Sequence, residues 1–320
     1  MKVLIGPNMF GLERCIEELA PIYPDIVFVS CQAPAELKEA IADADIYMGW
    51  MNRELFLAAK QLKWVQSPSS GVNAYLAIPE LVASDVLLTS ASGTHGACLA
   101  EHTFAMIFAF TRHIKDFVLH QKAHTWSARQ LRSKMLELTG STIGIIGFGA
   151  VGRAIAKRAA AFDMNIMAVD MFPRDQPEYV ASLADLDGLD ALLRASDYVV
   201  VTVPYTERTH GMIGADEIAK MKPSAMLIGI SRGGIIDEPA LASALREGRL
   251  AAAGLDVFSQ EPLPAESELW DIENLLITPH VAGGTQYEGD RILEIFRENL
   301  GRFVRGELPL RNQVDKQRGF

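Results

Sequence analysis

Long hydrophobic runs and paired cysteines are both missing from this sequence, and each absence excludes a class of protein. The most apolar stretch, residues 104–110, is far shorter than the roughly 20 residues that a helix needs to cross a bilayer, so we expect a buried helix there. The three cysteines are scattered and form no C-x-x-C pair. Such a set predicts reduced thiols in a cytoplasmic protein and argues against a disulfide scaffold or a zinc site.

Positive charge is also scarce. Lys and Arg number 30 against 40 Asp and Glu, which gives a formal net charge of −10. The basic residues are dispersed, so the sequence offers no clustered patch for nucleic acid or for an anionic membrane surface. We therefore expect neither a nucleic acid nor a membrane as a partner.

What is present is an alternation of short apolar runs with helical patterns from end to end. With 320 residues, 49% of them apolar, the chain is long enough for two hydrophobic cores. The alternation predicts α/β architecture with two doubly wound parallel-sheet domains. The predicted strands span residues 3–5, 26–29, 46–48, 64–66 and 86–89 in a first series, and 142–146, 166–169, 198–202, 225–228, 251–255 and 275–277 in a second.

The order of these patterns predicts that one domain is inserted in the other. A long helical pattern over residues 97–119 separates the two series, and a last helix, residues 286–304, has no sheet of its own after it. We therefore divide the chain into one domain of residues 1–97 and 286–320 and an inserted domain of residues 98–285. The polar tail after Arg305 is predicted to fray.

A glycine motif opens the second series of strands. It has the pattern G-x-G-x-x-G, with a predicted strand before it and a helix after it, as a dinucleotide site requires. In that arrangement the glycines permit a tight turn, a close approach of the backbone to the pyrophosphate, and close packing of helix on strand. The predicted cofactor-binding residues of the motif are Gly147, Phe148, Gly149, Ala150, Val151 and Gly152.

An acidic residue at the end of the next strand indicates which dinucleotide is bound. Asp170 lies about 20 residues beyond the motif, where a carboxylate accepts hydrogen bonds from ribose hydroxyls and repels a 2′-phosphate. Arg174 follows closely and would soften that repulsion. We therefore predict NAD as the cofactor, with NADP less favoured.

Three further motifs follow the last predicted strands, where open α/β sheets carry their chemistry. Arg232 lies in S-R-G-G, Glu261 in Q-E-P-L-P and His280 in T-P-H-V-A-G-G. In this order, downstream of the glycine motif, they resemble the Arg, Glu and His signatures of the D-isomer-specific 2-hydroxyacid dehydrogenase family. The resemblance extends from Trp64 to Val304 and is fainter before Trp64.

The resemblance implies a fold, an activity and an assembly. The fold is a Rossmann NAD-binding domain inserted in a flavodoxin-like substrate domain, with the active site in the cleft between the domains. The activity is that of an NAD-dependent oxidoreductase, a 2-ketoacid reductase that transfers a hydride between NAD(H) and a small 2-keto acid or D-2-hydroxy acid. Relatives are usually homodimers joined through the inserted domain and the long helix, so we expect a homodimer. Which keto acid is the substrate stays open.

The proposed chemistry explains the three residue types. Reduction of a keto acid needs a proton at the carbonyl oxygen, which a histidine can hold near neutral pH. We therefore assign His280 as general acid and base, and Glu261 as the carboxylate that orients its ring. A guanidinium binds a carboxylate through two parallel hydrogen bonds. Arg232 is therefore expected to hold the substrate carboxylate and to polarise the keto oxygen.

Other site residues are implied by the resemblance. The turn after the strand at residues 64–66 supplies backbone N–H groups to the substrate in the family, so Ser70, Gly71 and Val72 are expected to line the site, although Asn73 stands where relatives commonly have Asp. Asp256 resembles the family residue that contacts the nicotinamide carboxamide. The remaining cofactor positions are Pro204, Ile230 and Arg153, of which the last is equally compatible with a helix surface.

Three histidines have other interpretations. His95 is predicted to lie in a hinge, residues 89–96, which departs from the Asn- and Pro-containing version usual in the family. His120 and His124 are spaced i, i+4, so we expect them to share a helix face. Two histidines on one face would suit a metal, but no third ligand is apparent. We predict no metal.

Two alternative functions remain open at this point. Residues 229–233 form a literal G-x-S-x-G, which would make Ser231 the nucleophile of a hydrolase. That motif needs a helix directly after the serine, whereas the next helix is predicted to start at Asp237, with Pro239 in its first turn. The second alternative is an NAD-sensing protein like the co-repressors built on the same fold, which keep the three signature residues.

Overall fold

The computed structural model describes residues 1–126 and 129–319, and the chain forms two compact units. The first unit comprises Met1–His95 and Thr285–Phe320, and the second comprises Gly96–Gly284. The chain thus passes between units at 95/96 and 284/285, whereas the domain boundaries predicted from sequence were placed at 97/98 and 285/286.

The helices and strands alternate along both units. The first unit contains, in order, β1 (Lys2–Ile5), α1 (Cys15–Leu19), β2 (Val27–Ser30), α2 (Pro34–Ala40), β3 (Ile46–Met48), α3 (Arg53–Ala58), β4 (Trp64–Gln66), α4 (Asn73–Leu76), α5 (Pro79–Ala83) and β5 (Leu87–Thr89). The second unit follows with α6 (Gly96–Thr111), α7 (Ile114–Lys122), α8 (Arg129–Arg132), β6 (Thr142–Ile146), α9 (Ala150–Ala161), β7 (Asn165–Val169), β8 (Ser182–Ala184), α10 (Leu189–Ala195), β9 (Tyr198–Val201), α11 (Ala215–Lys220), β10 (Met226–Gly229), α12 (Glu238–Arg246), β11 (Ala252–Leu255) and β12 (Leu275–Ile277). The last helix, α13 (Glu288–Val304), belongs to the first unit.

The sheet of the first unit is parallel, with strand order β2-β1-β3-β4-β5. This is the flavodoxin-like order. The last helix packs on this sheet, because Phe296 and Leu300 share a buried cluster with Val3 and Trp64. The rings of Trp64 and Phe296 stack with centroids 5.4 Å apart. A helix at the far end of the chain therefore completes the core of the first unit.

The sheet of the second unit is also parallel, with strand order β12-β11-β10-β9-β6-β7-β8. The first six strands along the chain, β6 to β11, have the doubly wound Rossmann order. β12 extends this sheet by one strand. Alternate residues of β9 feed opposite faces: Val199 and Val201 lie in one buried cluster, Tyr198 and Val200 in the other. The predicted α/β class, with a parallel sheet in each part of the chain, is confirmed.

Two local predictions need correction. The helical pattern over residues 97–119 is not one helix, because His113 adopts a left-handed conformation with φ +53° between α6 and α7. Left-handed residues end helices, and no glycine or proline in the sequence announced this break. β8 was missed because it is short, half-buried and partly polar.

The tail after Arg305 does not fray, so that prediction was wrong. The N–H of Val314 donates to the carbonyl of Leu88 at 2.8 Å, and Leu310 is buried. The ammonium of Lys316 donates to the carbonyls of Leu81 and Val86 at 3.0 and 3.1 Å. Burial lowers the pKa of Lys316. A polar composition thus concealed a segment whose polar groups have specific partners.

The apolar run at residues 104–110 lies within α6, with Phe104, Met106 and Ile107 buried. This confirms the buried helix. Over residues 1–126 and 129–319, no helix has both the length and the apolar character needed to cross a membrane.

Candidate functional site

The glycine turn between β6 and α9 is built so that two of its three glycines are required by the chain itself. Gly147 has φ +98°, which favours glycine, and a Cβ there would lie 2.9 Å from Thr202 Oγ1. A Cβ on Gly152 would lie 2.2 Å from the carbonyl oxygen of Gly147. Gly149 differs, because a Cβ there would meet nothing within 4 Å. The chain itself therefore does not require glycine at this position, and the open space would let another group approach the backbone.

The start of α9 can bind an anion. Gly149 is its N-cap and supplies no side-chain acceptor, so the first N–H groups of the helix have no capping partner. Free N–H groups and the positive end of the helix dipole favour a phosphate. The turn and the helix start therefore fit the pyrophosphate of a dinucleotide, with Ala150 and Val151 in the first turn of α9.

Asp170 lies directly after β7 and faces the glycine turn. Its Oδ2 accepts a hydrogen bond from the N–H of Phe148 at 2.7 Å, and its Oδ1 accepts one from Phe172 at 2.8 Å. An ionised carboxylate has about four acceptor positions, so these two bonds leave room for ribose hydroxyls. The structure thus brings the predicted acid and the predicted glycine motif together.

Arg153 is occupied by protein groups. Its guanidinium donates to the carbonyl of Asp175 at 2.8 Å and to that of Arg174, and it lies 4.7 Å from the ring centroid of Phe148. These contacts tie the loop after β7 to the glycine turn. A contact of Arg153 with pyrophosphate stays a prediction.

Pro204 and Ile230 follow the carboxyl ends of β9 and β10, which are neighbouring strands of the same sheet. Because β9 also pairs with β6, both residues lie along the sheet edge that carries Gly147. Pro204 is exposed and Ile230 is buried. Their contact with a cofactor stays a prediction.

His280 and Glu261 form a close pair. The distance from His280 Nδ1 to Glu261 Oε2 is 2.7 Å, and Glu261 Oε1 accepts a hydrogen bond from the N–H of Phe258 at 2.9 Å. His280 has φ +52°, a sparsely populated conformation for a residue with a side chain. Residues held in such conformations concentrate at functional sites. Because a carboxylate can only accept a hydrogen bond, Nδ1 of His280 carries a proton and donates a hydrogen bond to Glu261. Nε2 of His280 remains for another partner.

Arg232 is half-buried in the loop after β10. Burial lowers the pKa of its guanidinium, and the nearby charge of Glu261 opposes that effect. One guanidinium nitrogen donates to the carbonyl of Ser231 at 2.6 Å. A guanidinium has five N–H donors, so donors remain for an anionic ligand. The charge of Glu261 thus acts on Arg232, and both residues belong to the same unit as the glycine turn.

Asp256 is 1% exposed, and its carboxylate is surrounded by protein donors. Oδ1 accepts from Thr278 Oγ1 at 2.5 Å and from the N–H of Val281 at 2.9 Å, and Oδ2 accepts from the N–H of Ala282 at 2.9 Å. These bonds fasten the turn that carries His280. The sequence pointed to a cofactor contact for Asp256 and did not show this structural role, because the partners lie more than 20 residues away.

The predicted substrate turn lies in the first unit. Ser70 Oγ donates to the carbonyl of Ala91 at 3.0 Å and lies 2.8 Å from His95 Nδ1. The N–H of Gly71 donates to Ser69 Oγ at 3.2 Å. Val72 is buried and caps α4. Of the three backbone N–H groups expected to face a substrate, that of Gly71 thus has a partner within the turn.

His95 has side-chain partners that the prediction of a hinge did not include. Its Nδ1 lies 2.8 Å from both Ser70 Oγ and Thr94 Oγ1, and its Nε2 lies 3.0 Å from Glu288 Oε1 in the first turn of α13. It therefore connects the predicted substrate turn with the last helix. Sequence reasoning missed this because Ser70 and Glu288 lie 25 and 193 residues away from His95 along the chain.

The hydrolase alternative lacks its required geometry. No helix follows Ser231 directly: α12 begins at Glu238, with Asp237 as N-cap accepting from the N–H of Ala240 at 2.9 Å. This confirms the predicted helix start. Across the described ranges, no hydrogen bond joins Ser231 Oγ to His280.

The two histidines considered for a metal do not share a helix face, so that expectation was wrong. His124 lies beyond the end of α7 and has φ +52°. In the part of the chain that the structure describes, no group of three or more His, Cys, Asp or Glu side chains is placed to hold a metal ion.

Burial raises the pKa of the Cys15 thiol to about 11, so this cysteine is not a reactive thiolate at neutral pH.

Comparison with protein-family models gives a match over residues 104–282 to the family described as "D-isomer specific 2-hydroxyacid dehydrogenase, NAD binding domain". The sequence is 33% identical over 287 residues to a glyoxylate reductase of Korarchaeum cryptofilum, covering 87% of this chain and 86% of that protein.

Solved structures give the same picture. A D-isomer specific 2-hydroxyacid dehydrogenase family protein from Aeromonas salmonicida superposes with a TM-score of 0.86 at 30% identity, covering 98% of both chains. An NADPH-dependent glyoxylate/hydroxypyruvate reductase from Sinorhizobium meliloti, solved with NADP and sulfate, superposes with a TM-score of 0.85 at 29% identity, covering 100% of both chains. The resemblance stated from the Arg, Glu and His motifs is therefore confirmed.

Proposed function

The chain belongs to the D-isomer specific 2-hydroxyacid dehydrogenase family and is a 2-hydroxyacid oxidoreductase, and from this premise we propose that it reduces small 2-keto acids with NADH. The products are the corresponding 2-hydroxy acids, of D configuration where the product is chiral. Glyoxylate is the first substrate to test, because both the Korarchaeum and the Sinorhizobium relatives are glyoxylate reductases by name. The observation that carries the proposal is the 2.7 Å pair of His280 and Glu261.

His280 is the proton donor in this proposal. Glu261 holds the Nδ1–H, which orients the ring and leaves Nε2 to give its proton to the keto oxygen. Bound nicotinamide supplies the hydride that reduces the carbonyl carbon. In the reverse direction Nε2 accepts the proton of the hydroxyl group.

Arg232 holds the substrate carboxylate. Its guanidinium is half-buried, so a charge-assisted pair with a carboxylate is screened less than it would be in water. The backbone N–H groups of Ser70 and Val72 are proposed as further donors to the substrate. Gly71 contributes by allowing a close approach.

The cofactor is proposed to be NAD, with NADP bound more weakly. The glycine turn and the start of α9 would hold the pyrophosphate, and Asp170 would hold the adenosine ribose. A carboxylate at that position repels a 2′-phosphate. Arg174 contacts Arg153 only through its backbone carbonyl. The side chain of Arg174 is the group that would moderate the repulsion of a 2′-phosphate.

We propose that two copies of the chain pair through α7. This helix has no buried residue, and it exposes 51% of Ile114, 45% of Val118 and 54% of Leu119. Trp126 nearby is 100% exposed. Burial of such side chains against a second copy would stabilise a dimer. Light scattering should give the mass of a dimer for the wild type and of a monomer for Val118→Glu, and a monomeric wild type contradicts the pairing.

The experiment that tests the function follows loss of the NADH signal with glyoxylate, hydroxypyruvate, pyruvate and a branched 2-keto acid, and then repeats the panel with NADPH. Turnover with at least one acid supports the reductase. Binding of NADH without turnover of any acid would instead favour the NAD-sensing alternative.

A matched pair of variants tests the proton donor. His280→Gln should lower kcat by roughly 10²- to 10⁴-fold and leave the Kd of NADH within about twofold. His113→Gln is the control, because His113 also has a left-handed backbone and a carboxylate partner, Asp116, 2.8 Å from its Nδ1. Equal effects of the two substitutions would remove His280 from the chemistry.

A further inference from the structure

Two side chains of α6 contact the two ends of the turn that carries His280. Cys98 and His102 are four residues apart and therefore lie on one face of the helix. Cys98 Sγ donates to the carbonyl of Gly283 at 3.2 Å, and His102 Nε2 lies 3.0 Å from Thr278 Oγ1. The segment Thr278–Gly283 is thus tied to one helix on both sides of His280. All these residues belong to the second unit.

The direction of the hydrogen bonds between His102 and Asp256 can be assigned. Thr278 Oγ1 lies 2.5 Å from Asp256 Oδ1, and an ionised carboxylate can only accept. The single hydroxyl proton of Thr278 therefore goes to Asp256. It follows that Thr278 accepts from His102, so Nε2 of His102 carries a proton. The result is an ordered chain of donors from His102 through Thr278 to Asp256.

This chain ends on the carboxylate that holds the backbone around His280. Asp256 accepts from the N–H groups of Val281 and Ala282, and its backbone carbonyl accepts from the N–H of His280 at 2.8 Å. His280 has φ +52°, a conformation that the surrounding structure must maintain. Anything that orients the Asp256 carboxylate therefore also orients the His280 turn.

We infer that His102 is a positioning residue for the reaction: it acts through Thr278 and Asp256 to hold the turn in which His280 meets Glu261. His102 itself touches neither His280 nor Glu261 in the contacts that the structure describes. Cys98 adds the second tie, at Gly283. The inference rests on the proposed function to the extent that His280 is the proton donor.

Substitutions at both ends of the His102–Thr278 bond test the inference. His102→Phe keeps a ring of similar size and removes the donor, whereas His102→Gln keeps an N–H at a similar distance from the backbone. Thr278→Val keeps the shape and removes the hydroxyl. We expect faster amide hydrogen exchange at Val281 and Ala282 in His102→Phe and Thr278→Val, and near wild-type exchange in His102→Gln.

Kinetics provide the second readout. His102→Phe should lower kcat about tenfold or more, because the proton donor is displaced, while the Kd of NADH and the thermal midpoint change little. His102→Gln should restore most of kcat. The double variant His102→Phe/Thr278→Val should be no slower than the worse single variant, because both act through one bond.

Unchanged exchange at Val281 and Ala282 in both single variants would overturn the inference, whatever the activity. A fall in kcat that comes with an equal loss of NADH affinity and of thermal stability would also overturn it, because that is a general structural effect. The exchange readout does not need turnover. If the wild type reduces no keto acid, the proposed function fails while exchange still decides whether His102 holds the turn.

Discussion

The glycine turn allows a prediction in which two similar substitutions affect different properties, one the stability of the protein and the other its affinity for NADH. In Gly152→Ala the new Cβ would lie 2.2 Å from the carbonyl oxygen of Gly147, so backbone must move by about 1 Å before the contact becomes ordinary. Overpacking of this kind costs about 1–3 kcal/mol. Alanine gains about 1 kcal/mol over glycine inside a helix. The group that must move is a backbone carbonyl and not a flexible side chain, so the cost of overpacking lies near the upper end of that range, about 2–3 kcal/mol. We therefore expect a net loss of about 1–2 kcal/mol.

Gly149→Ala is the matched partner. Its Cβ meets nothing within 4 Å, and the backbone at the N-cap has φ −76°, which any residue adopts. Replacing glycine by alanine at an N-cap costs under about 1 kcal/mol. The methyl group would, however, occupy the space through which the proposed pyrophosphate approaches the backbone. We therefore expect nearly unchanged stability and a Kd for NADH raised about tenfold or more, equivalent to about 1.4 kcal/mol.

Two measurements separate the variants. Scanning calorimetry should show a thermal midpoint lower by roughly 2–8 °C in Gly152→Ala, given the size of the second unit, and almost no change in Gly149→Ala. In fluorescence titration, Gly149→Ala should show a raised Kd for NADH although its stability is almost unchanged. Wild-type affinity in Gly149→Ala would refute the assignment of this turn to the cofactor.

Three further predictions address the substrate, the cofactor and the tail. Arg232→Lys should raise the KM for the keto acid about tenfold or more without changing the Kd of NADH, because an ammonium cannot form the paired bonds of a guanidinium; steady-state kinetics and NADH titration check this. Asp170→Asn should shift the NADPH to NADH ratio of kcat/KM at least about tenfold toward NADPH, because it removes a charge from the ribose site, and an unchanged ratio contradicts that role. Asn299→Ala should lower the free energy of unfolding by about 2–3 kcal/mol in urea titration. The reason is that Asn299 is fully buried and binds both the N–H and the carbonyl of Arg311. A loss below about 0.5 kcal/mol would show that the tail contributes little to stability.

Much of the fold was predictable because local patterns and sheet architecture agreed. The strands at residues 46–48, 64–66, 142–146 and 275–277 have the bounds predicted for them. The start of α12 followed from Asp237 as a cap and Pro239 in the first turn. β8 and the break at His113 were not predictable in this way, since neither carries a strong apolar period or a helix-ending glycine or proline.

The candidate site also contains residues that the sequence predicted and residues that it did not. The glycine motif, Asp170, Arg232, Glu261 and His280 were identified because each occupies a characteristic position at a strand end. The roles of Asp256, His102 and His95 were not predicted, because most of their partners are far away in sequence.

From the order of residues alone came the α/β class, the family and the three side chains proposed for the chemistry, since these depend on periodicity, on spacing and on short motifs that the chain carries locally. Only the tertiary structure decided which polar groups satisfy one another. It placed the polar tail beside β5, where Val314 and Lys316 donate hydrogen bonds to backbone carbonyls. It also surrounded the Asp256 carboxylate with donors of the His280 turn. The physical reason is that a buried hydrogen bond is determined by where two distant segments meet in space, and no local pattern contains that information.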